Sequence, residues 1–395
     1  MTRETQFLEL QGQTNQTPYL IDVDKAEGIY IWDKSGKKYM DMIAGVAVTN
    51  IGHRHPKVIS AIKNQLDKHL HVMVYGEYIQ DSQLDLAHNL KSILPEKLNC
   101  SYVVNSGTEA NEAAIKLAKR YTGRSEIISC KQSYHGSTHG SLSVMGTETR
   151  KAKYRPLLPL VKFIEFNDLE SLNIISDNSA CVIIETIQGD AGLIEPTLEF
   201  ITALRQKCDA AGTLLIFDEV QVGMGRTGKM FAFEHYNIVP DILTLGKGLG
   251  GGMPIGAFIS DYKIMQTLTH NPMLGHITTF GGHPVNTAAA NACIDILKNE
   301  NWIEQSDAKA KLLVDKLLTN KNVLEVRQKG LFFAIEMGSF DRVKLVVDKC
   351  LEKGLIGFWF LSTPTAFRLS PPLSITFEEI EMAAKIILEA IEETK

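Results

Sequence analysis

Lys247 stands where an apolar run, DILTLG, breaks into the glycines of KGLGGGMPIGA, and one supersecondary unit upstream Asp218 closes another apolar run, LLIF. A lysine desolvated among glycines is less firmly protonated than one in water, and its amine is the better nucleophile. Such an amine can hold an aldehyde cofactor covalently. A carboxylate at the end of a neighbouring strand can keep a pyridine nitrogen protonated, the condition under which pyridoxal 5'-phosphate (PLP) withdraws electrons. Lys247 is therefore the expected catalytic residue and Asp218 the expected partner of the ring nitrogen. Either alone would pass as a solvated loop lysine or an ordinary strand-end acid.

A third motif joins them. SYVVNSGTEANEAAIKLAKR reads as a strand, a tight Ser-Gly-Thr turn and an amphipathic helix. The first N–H groups of such a helix, with Gly107 in the turn and the hydroxyls of Ser106 and Thr108, make a phosphate cradle. The same residues also suit a plain helix cap; beside Lys247 they are expected to clamp the cofactor phosphate. His53 and His55 in GHRHP invite a metal, but no third ligand is near, and no metal site is assigned.

These residues must be delivered by a scaffold of alternating elements. Residues 28–41 alternate around a DKSGK turn and predict a β-hairpin, followed by a helix in PKVISAIKNQLDKHL. From about residue 80 the pattern becomes strand and helix by turns: SYVV, a helix from Thr108, EIISC, VKFIEF, ACVIIE, a helix around 198–211, LLIFDE and DILTLG. Short apolar runs separated by helices indicate an α/β fold whose mostly parallel sheet is covered on both faces and presents its strand ends along one edge. After a long helix from about Pro284 to Asn299, the strands VLEVRQ, LFFAIEM and AFRLSPP and further helices form a smaller α+β unit. The expected organisation is an N-terminal segment, 1–55, joining the small domain; a large cofactor-binding domain, 56–290; and a C-terminal small domain, 291–395.

The 395 residues, 44% of them hydrophobic, suffice for a large core. Six cysteines without CxxC spacing, several in apolar runs, read as buried thiols in a reducing, cytoplasmic setting. A net charge of −5 without a long basic run argues against nucleic acid or an anionic membrane as partner. The polar start MTRETQFLELQGQ has no signal core, and no later apolar run is long enough to span a bilayer. Small anionic molecules are the expected ligands.

NSGTEANEA, SYHGST, IIETIQGDAG, IFDEVQVGMGRTG, LGKGLGGGMPIGA, TTFGGHPVNTAAA and RLSPPL follow one another in this order. With them the chain, from about residue 18 to its end, resembles the class III aminotransferases of the ornithine, acetylornithine and 4-aminobutyrate type, which have the PLP-dependent transferase fold type I. The resemblance implies that Tyr134 stacks on one face of the cofactor ring and Val220 packs the other, with His135 as a further contact. It implies that Gln221 bonds the phenolic oxygen, that Glu185 supports the polar network, and that Thr279, with Thr278 beside it, reaches the phosphate of the other subunit in a homodimer whose sites lie at the interface. Arg368 matches the arginine that receives the α-carboxylate of glutamate. Asp190 falls where relatives carry a glutamate that neutralises this arginine, one methylene longer.

The chain departs from the pattern elsewhere. Where many relatives have HGRT, it has Ser137 in place of the arginine; Arg150, Lys153 and Arg155 are candidate substitutes. Gln16 and Val46 stand where ornithine-specific relatives grip the substrate with tyrosines, which disfavours strict ornithine specificity. Phe358 and Trp359 are candidates to wall an apolar part of the pocket. The resemblance implies ping-pong transfer of an amino group from an ω-amino or other amino acid donor to a 2-oxo acid, 2-oxoglutarate being the expected acceptor. An aminomutase or racemase on the same fold is the alternative, and a decarboxylating transferase a further one.

Overall fold

Seven short strands build the central sheet: β1 (Cys100–Val104), β2 (Glu126–Cys130), β3 (Val161–Ile164), β4 (Ser179–Glu185), β5 (Leu214–Asp218), β6 (Ile242–Leu245) and β7 (Gly256–Ser260). The computed structural model describes residues 1–394 and orders these strands β1-β7-β6-β5-β4-β2-β3. Every residue of β4, β5 and β6 is buried, as befits strands covered on both faces. The pairs from β3 through β2, β4 and β5 to β6 are parallel. β7, which follows the glycine run, is antiparallel to both β6 and β1. β1 therefore points the same way as the parallel strands, and its carboxyl end reaches the same edge. The expected mostly parallel sheet is present, with β7 as a strand the sequence pattern did not single out.

Register then places the chemistry. Glu185 of β4 lies opposite Asp218 of β5, and Asp218 lies opposite Thr244 of β6, so three polar residues stand abreast where the strands end. Ligand sites in open α/β sheets form at such carboxyl ends.

Local signals set the helices. In α1 (Gly107–Thr122), the Ser106 hydroxyl accepts the Glu109 N–H, and Gly123 closes the helix in the left-handed conformation. Its buried face is mostly alanine, which brings it close to β6 and β7. α2 (Leu198–Ala211) runs between a Thr197 cap and Gly212, also left-handed. α3 (Pro284–Asn299) starts at a proline in its first turn and is unbroken through residues 290 and 291. The chain bends at Glu300 and Asn301 before the next helix, Trp302–Leu317.

Two further sheets draw on strands near both ends of the chain. Strands Val23–Glu27, Tyr30–Asp33 and Lys38–Asp41 form a meander that Leu355–Ile356 extends in parallel. The hairpin expected over residues 28–41 is part of it. Glu325–Lys329, Phe332–Glu336, Ala366–Leu369 and Phe358–Trp359 form another antiparallel sheet in that order. Arg226, with none of its surface exposed, joins the pieces: its guanidinium donates to Asn50 Oδ1 at 2.6 Å, Leu331 O at 2.9 Å and Pro371 O at 2.6 Å. Burial pushes this guanidinium down to about 9. All six cysteines carry free thiols, Cys100 alone being partly exposed. Among the described residues no helix is long and apolar enough to cross a membrane.

Candidate active site

Asp218 is 5% exposed and collects three donors. Its Oδ2 accepts from Asn111 Nδ2 at 2.7 Å and pairs with His135 Nδ1 at 2.8 Å, while Oδ1 accepts the Val220 N–H at 3.0 Å. An ionised carboxylate only accepts, so the arrangement assigns the proton between them to His135 Nδ1. Asn111 also donates to His135 O at 2.8 Å and takes the Thr244 hydroxyl on Oδ1 at 2.7 Å, which fixes the orientation of its amide. Sequence reasoning missed Asn111. Its signal was a polar residue on the otherwise apolar, mostly alanine face of α1, and a buried amide needs partners.

Lys247 opens onto the same cleft. Its φ of 42° lies in the left-handed region, which non-glycine residues enter at a cost of about 1–3 kcal/mol when the surroundings enforce it. The residue is only partly buried and keeps some solvent contact. Burial, foremost, lowers the pKa of its ammonium; Arg368 adds to this, and Asp218, Glu185 and Asp190 oppose it.

Glu185, at the end of β4, is 5% exposed. Its two oxygens accept the N–H groups of Tyr134 and Gly189, each at 2.9 Å. Burial is the main force pushing its carboxyl up to about 7; Asp218 adds to it, and His135 with the two N–H groups opposes it. The folded protein therefore holds a proton that the unfolded chain releases between about pH 4.5 and 7, and stability without cofactor falls as pH rises through that window. Glu185→Gln, which does not titrate, is expected to flatten the fall by up to about 3 kcal/mol. Melting temperatures at the two ends of the window check this; an unchanged slope would assign the proton to another group.

All the predicted cofactor residues except Ser106, Thr278 and Thr279 line one cleft of about 260 Å³. Ser106 lies behind it as the cap of α1. The Thr108 hydroxyl, at the mouth, lies 2.7 Å from that of Thr138, which donates to Glu112. Thr278 accepts the Gly281 N–H at 2.7 Å and so closes its own turn, and Thr279 is exposed. The Tyr134 hydroxyl lies 3.4 Å from that of Ser137.

Arg368 is 4% exposed, and among the described residues no acid lies within ion-pairing distance of it. Its guanidinium carbon is 5.5 Å from the centre of the Phe360 ring and 5.9 Å from that of Phe358. Burial lowers its pKa against the opposing charge of Asp190. Phe358 and Trp359 stack at 4.2 Å, with Tyr19 edge-on to both. The Asp190 oxygens are taken elsewhere, by Leu361 N–H at 3.1 Å and the Ser362 hydroxyl at 3.0 Å. Of the basic residues near Arg150, Arg155 pairs with Glu148 at 2.7 Å, Lys153 is exposed, and Arg150 itself donates to Leu361 O. His53 pairs with Asp41 at 2.8 Å, and His55 caps the helix Pro56–Leu66.

The cleft fits PLP. An amine, a carboxylate and a helix start converge on it, and two buried nitrogens there, His135 Nε2 and Gln221 Nε2, have no partner among the described residues. Buried polar atoms of this kind need a partner. The turn at Gly107 is also kept narrow, because a Cβ there would come within 2.5 Å of the Val220 side chain.

A family model described as "Aminotransferase class-III" matches residues 11–391. The chain is 38% identical, over 98% of its length and 97% of the relative's, to a LysW-aminoadipate semialdehyde/glutamate semialdehyde transaminase of Sulfolobus acidocaldarius. It is 39% identical, over 95% of its length and 96% of the relative's, to an acetylornithine aminotransferase of Caldanaerobacter subterraneus subsp. tengcongensis. The fold is similar to the crystal structure of an ornithine aminotransferase from Toxoplasma gondii, with a TM-score of 0.91 and 27% identity over all of this chain and 96% of that one.

Proposed function

Because the chain belongs to the class-III aminotransferases and so is a PLP-dependent transaminase, we propose that it moves the terminal amino group of an ω-amino donor to 2-oxoglutarate. The observation that carries the reading is the convergence of Lys247 and Asp218 on one cleft at the start of α1. Relatives named for acetylornithine and for aminoadipate semialdehyde support a donor whose amine is remote from its α-carboxylate.

PLP bound in the cleft supplies an aldehyde for covalent attachment and a ring that accepts electrons from the donor carbon. Lys247 Nζ would hold the cofactor and, once free, would serve as the base for the proton on the donor's amine-bearing carbon and as the acid that gives it back. Asp218, oriented by Asn111 and His135, keeps the ring nitrogen protonated. Tyr134 and Val220, which line the cleft, would bracket the ring, and Gln221 Nε2, which has no partner among the described residues, would donate to its phenolic oxygen. Glu185 holds the Tyr134 backbone in place. Ser106, Gly107 and Thr108 form the phosphate end with the first N–H groups of α1. Arg368 grips the α-carboxylate of glutamate through both oxygens.

Thr278 and Thr279 serve the partner's phosphate in a homodimer. Exposed Met273, Leu274 and Phe280 beside them, and Ile79 at 92% exposure, are apolar surface that a second copy would cover. The free thiols suit a reducing cytoplasm.

The test mixes the PLP-loaded enzyme with one amine donor at a time, without acceptor, and follows the absorbance of the bound cofactor. Conversion by acetylornithine or 4-aminobutyrate is the expected result, with return to the starting spectrum on adding 2-oxoglutarate. Rearrangement or racemisation of a substrate without any 2-oxo acid would instead mark an isomerase.

A further inference from the structure

Leu361 belongs to the small unit, just beyond the Phe358–Trp359 strand that pairs with the Arg368 strand. Both of its backbone polar groups are bound by side chains from the central-sheet unit. Its N–H donates to Asp190 Oδ1 at 3.1 Å, and its carbonyl accepts from Arg150 Nη2 at 2.7 Å. The Ser362 hydroxyl adds a bond to Asp190 Oδ2 at 3.0 Å and lies 3.4 Å from that of Thr147. Both oxygens of Asp190 are thus engaged, and the residue is 3% exposed.

We propose that Asp190 and Arg150 form a clasp on the backbone of Leu361, positioning the small unit's arginine over the site, and that Asp190 is not the counter-charge of Arg368. To reach the guanidinium, Asp190 would have to release a hydroxyl and a backbone N–H that would then lack its partner. Phe358 and Phe360 offer the bare guanidinium their ring faces instead. Arg368 then stays open to a substrate carboxylate, and when an ω-amino donor brings none to it, the rings stabilise the cation without moving. The clasp rests on the transaminase reading for its role in catalysis, but not for its existence.

The experiment uses the PLP-loaded enzyme and two donors, L-glutamate and 4-aminobutyrate, in single half-reactions, together with hydrogen exchange at Leu361. Loosening the loop by Asp190→Ala or Arg150→Ala is expected to raise the half-saturating concentration about tenfold for both donors, with a smaller change in the saturating rate. Asp190→Asn keeps an oxygen for the Leu361 N–H and a group for Ser362, and should recover most of that loss. A gate predicts the opposite: Asp190→Asn as damaged as Asp190→Ala toward 4-aminobutyrate, glutamate unharmed, and Arg150→Ala silent. That pattern would overturn the clasp. Exchange of the Leu361 amide should quicken in Asp190→Ala and Arg150→Ala, and unchanged exchange in both refutes the clasp whatever the enzyme transforms. Failure of the unmodified enzyme to convert either donor, with exchange quickened as expected, counts against the transaminase reading and leaves the clasp supported.

Discussion

Replacing Lys247 by alanine is expected to abolish covalent attachment of PLP and to lower the rate of amino transfer by about 10⁴-fold. One residue is asked to do two things, hold the cofactor and move the proton, and general acid–base catalysis alone accounts for about 10²–10⁴ in rate. Among the described residues Lys247 is the only amine lining the cleft, its ammonium is weakened by burial, and its left-handed backbone fixes where the side chain starts. Borohydride reduction followed by denaturation and peptide mass analysis checks the attachment: the PLP mass should stay on the Lys247 peptide of the unmodified enzyme and on no peptide of the variant. Retention by Lys247→Ala would move the attachment to another lysine.

Asp218→Asn should leave the cofactor bound but lower the rate about 10²–10³-fold, the loss typical of removing one preorganised electrostatic partner. The asparagine oxygen can still accept the Val220 N–H, and Lys247 is untouched, so binding survives. What disappears is the negative charge facing the ring nitrogen. On the side of Oδ2 the new amide would also meet the donors of Asn111 and His135, at 2.7 and 2.8 Å, so the network must rearrange. Single-turnover rates and the absorbance of the bound cofactor separate the two effects. A variant as fast as the unmodified enzyme would mean that Asp218 only braces the cleft.

Much of this arrangement is legible in the residues. The ends of α2 and α3 are written as Thr197 and Gly212, and as His283-Pro284, because caps act within a single turn. Lys247 and Asp218 stand out because a charged residue at the end of an apolar run must be accounted for. β7 was harder to see, since its pairing with β1 and β6 is decided by distant strands rather than by its own five residues. Asn111 reads locally as one more polar helix residue, and Arg226 as a surface arginine in a glycine-rich turn; only packing reveals that both are buried. The engagement of Asp190 by Leu361 depends on how segments 171 residues apart meet, which no spacing within either motif encodes.

The place of β7 between β1 and β6 also bears on how the chain comes to be made. β1 lies at one margin of the sheet, and its sole sheet neighbour among the described residues, from Gly256 to Ser260, is translated about 150 residues later, a delay on the order of 10–30 s on the ribosome. Throughout that interval Tyr102, Val103 and Val104 have no strand partner, and α1, which follows them, lacks the β7 strand it packs on. The segment is thus among the earlier parts of the sheet to emerge and among the later to be secured, so a nascent chain presents a sticky, unclaimed strand to chaperones and to other nascent chains until the glycine run and β7 have left the exit tunnel.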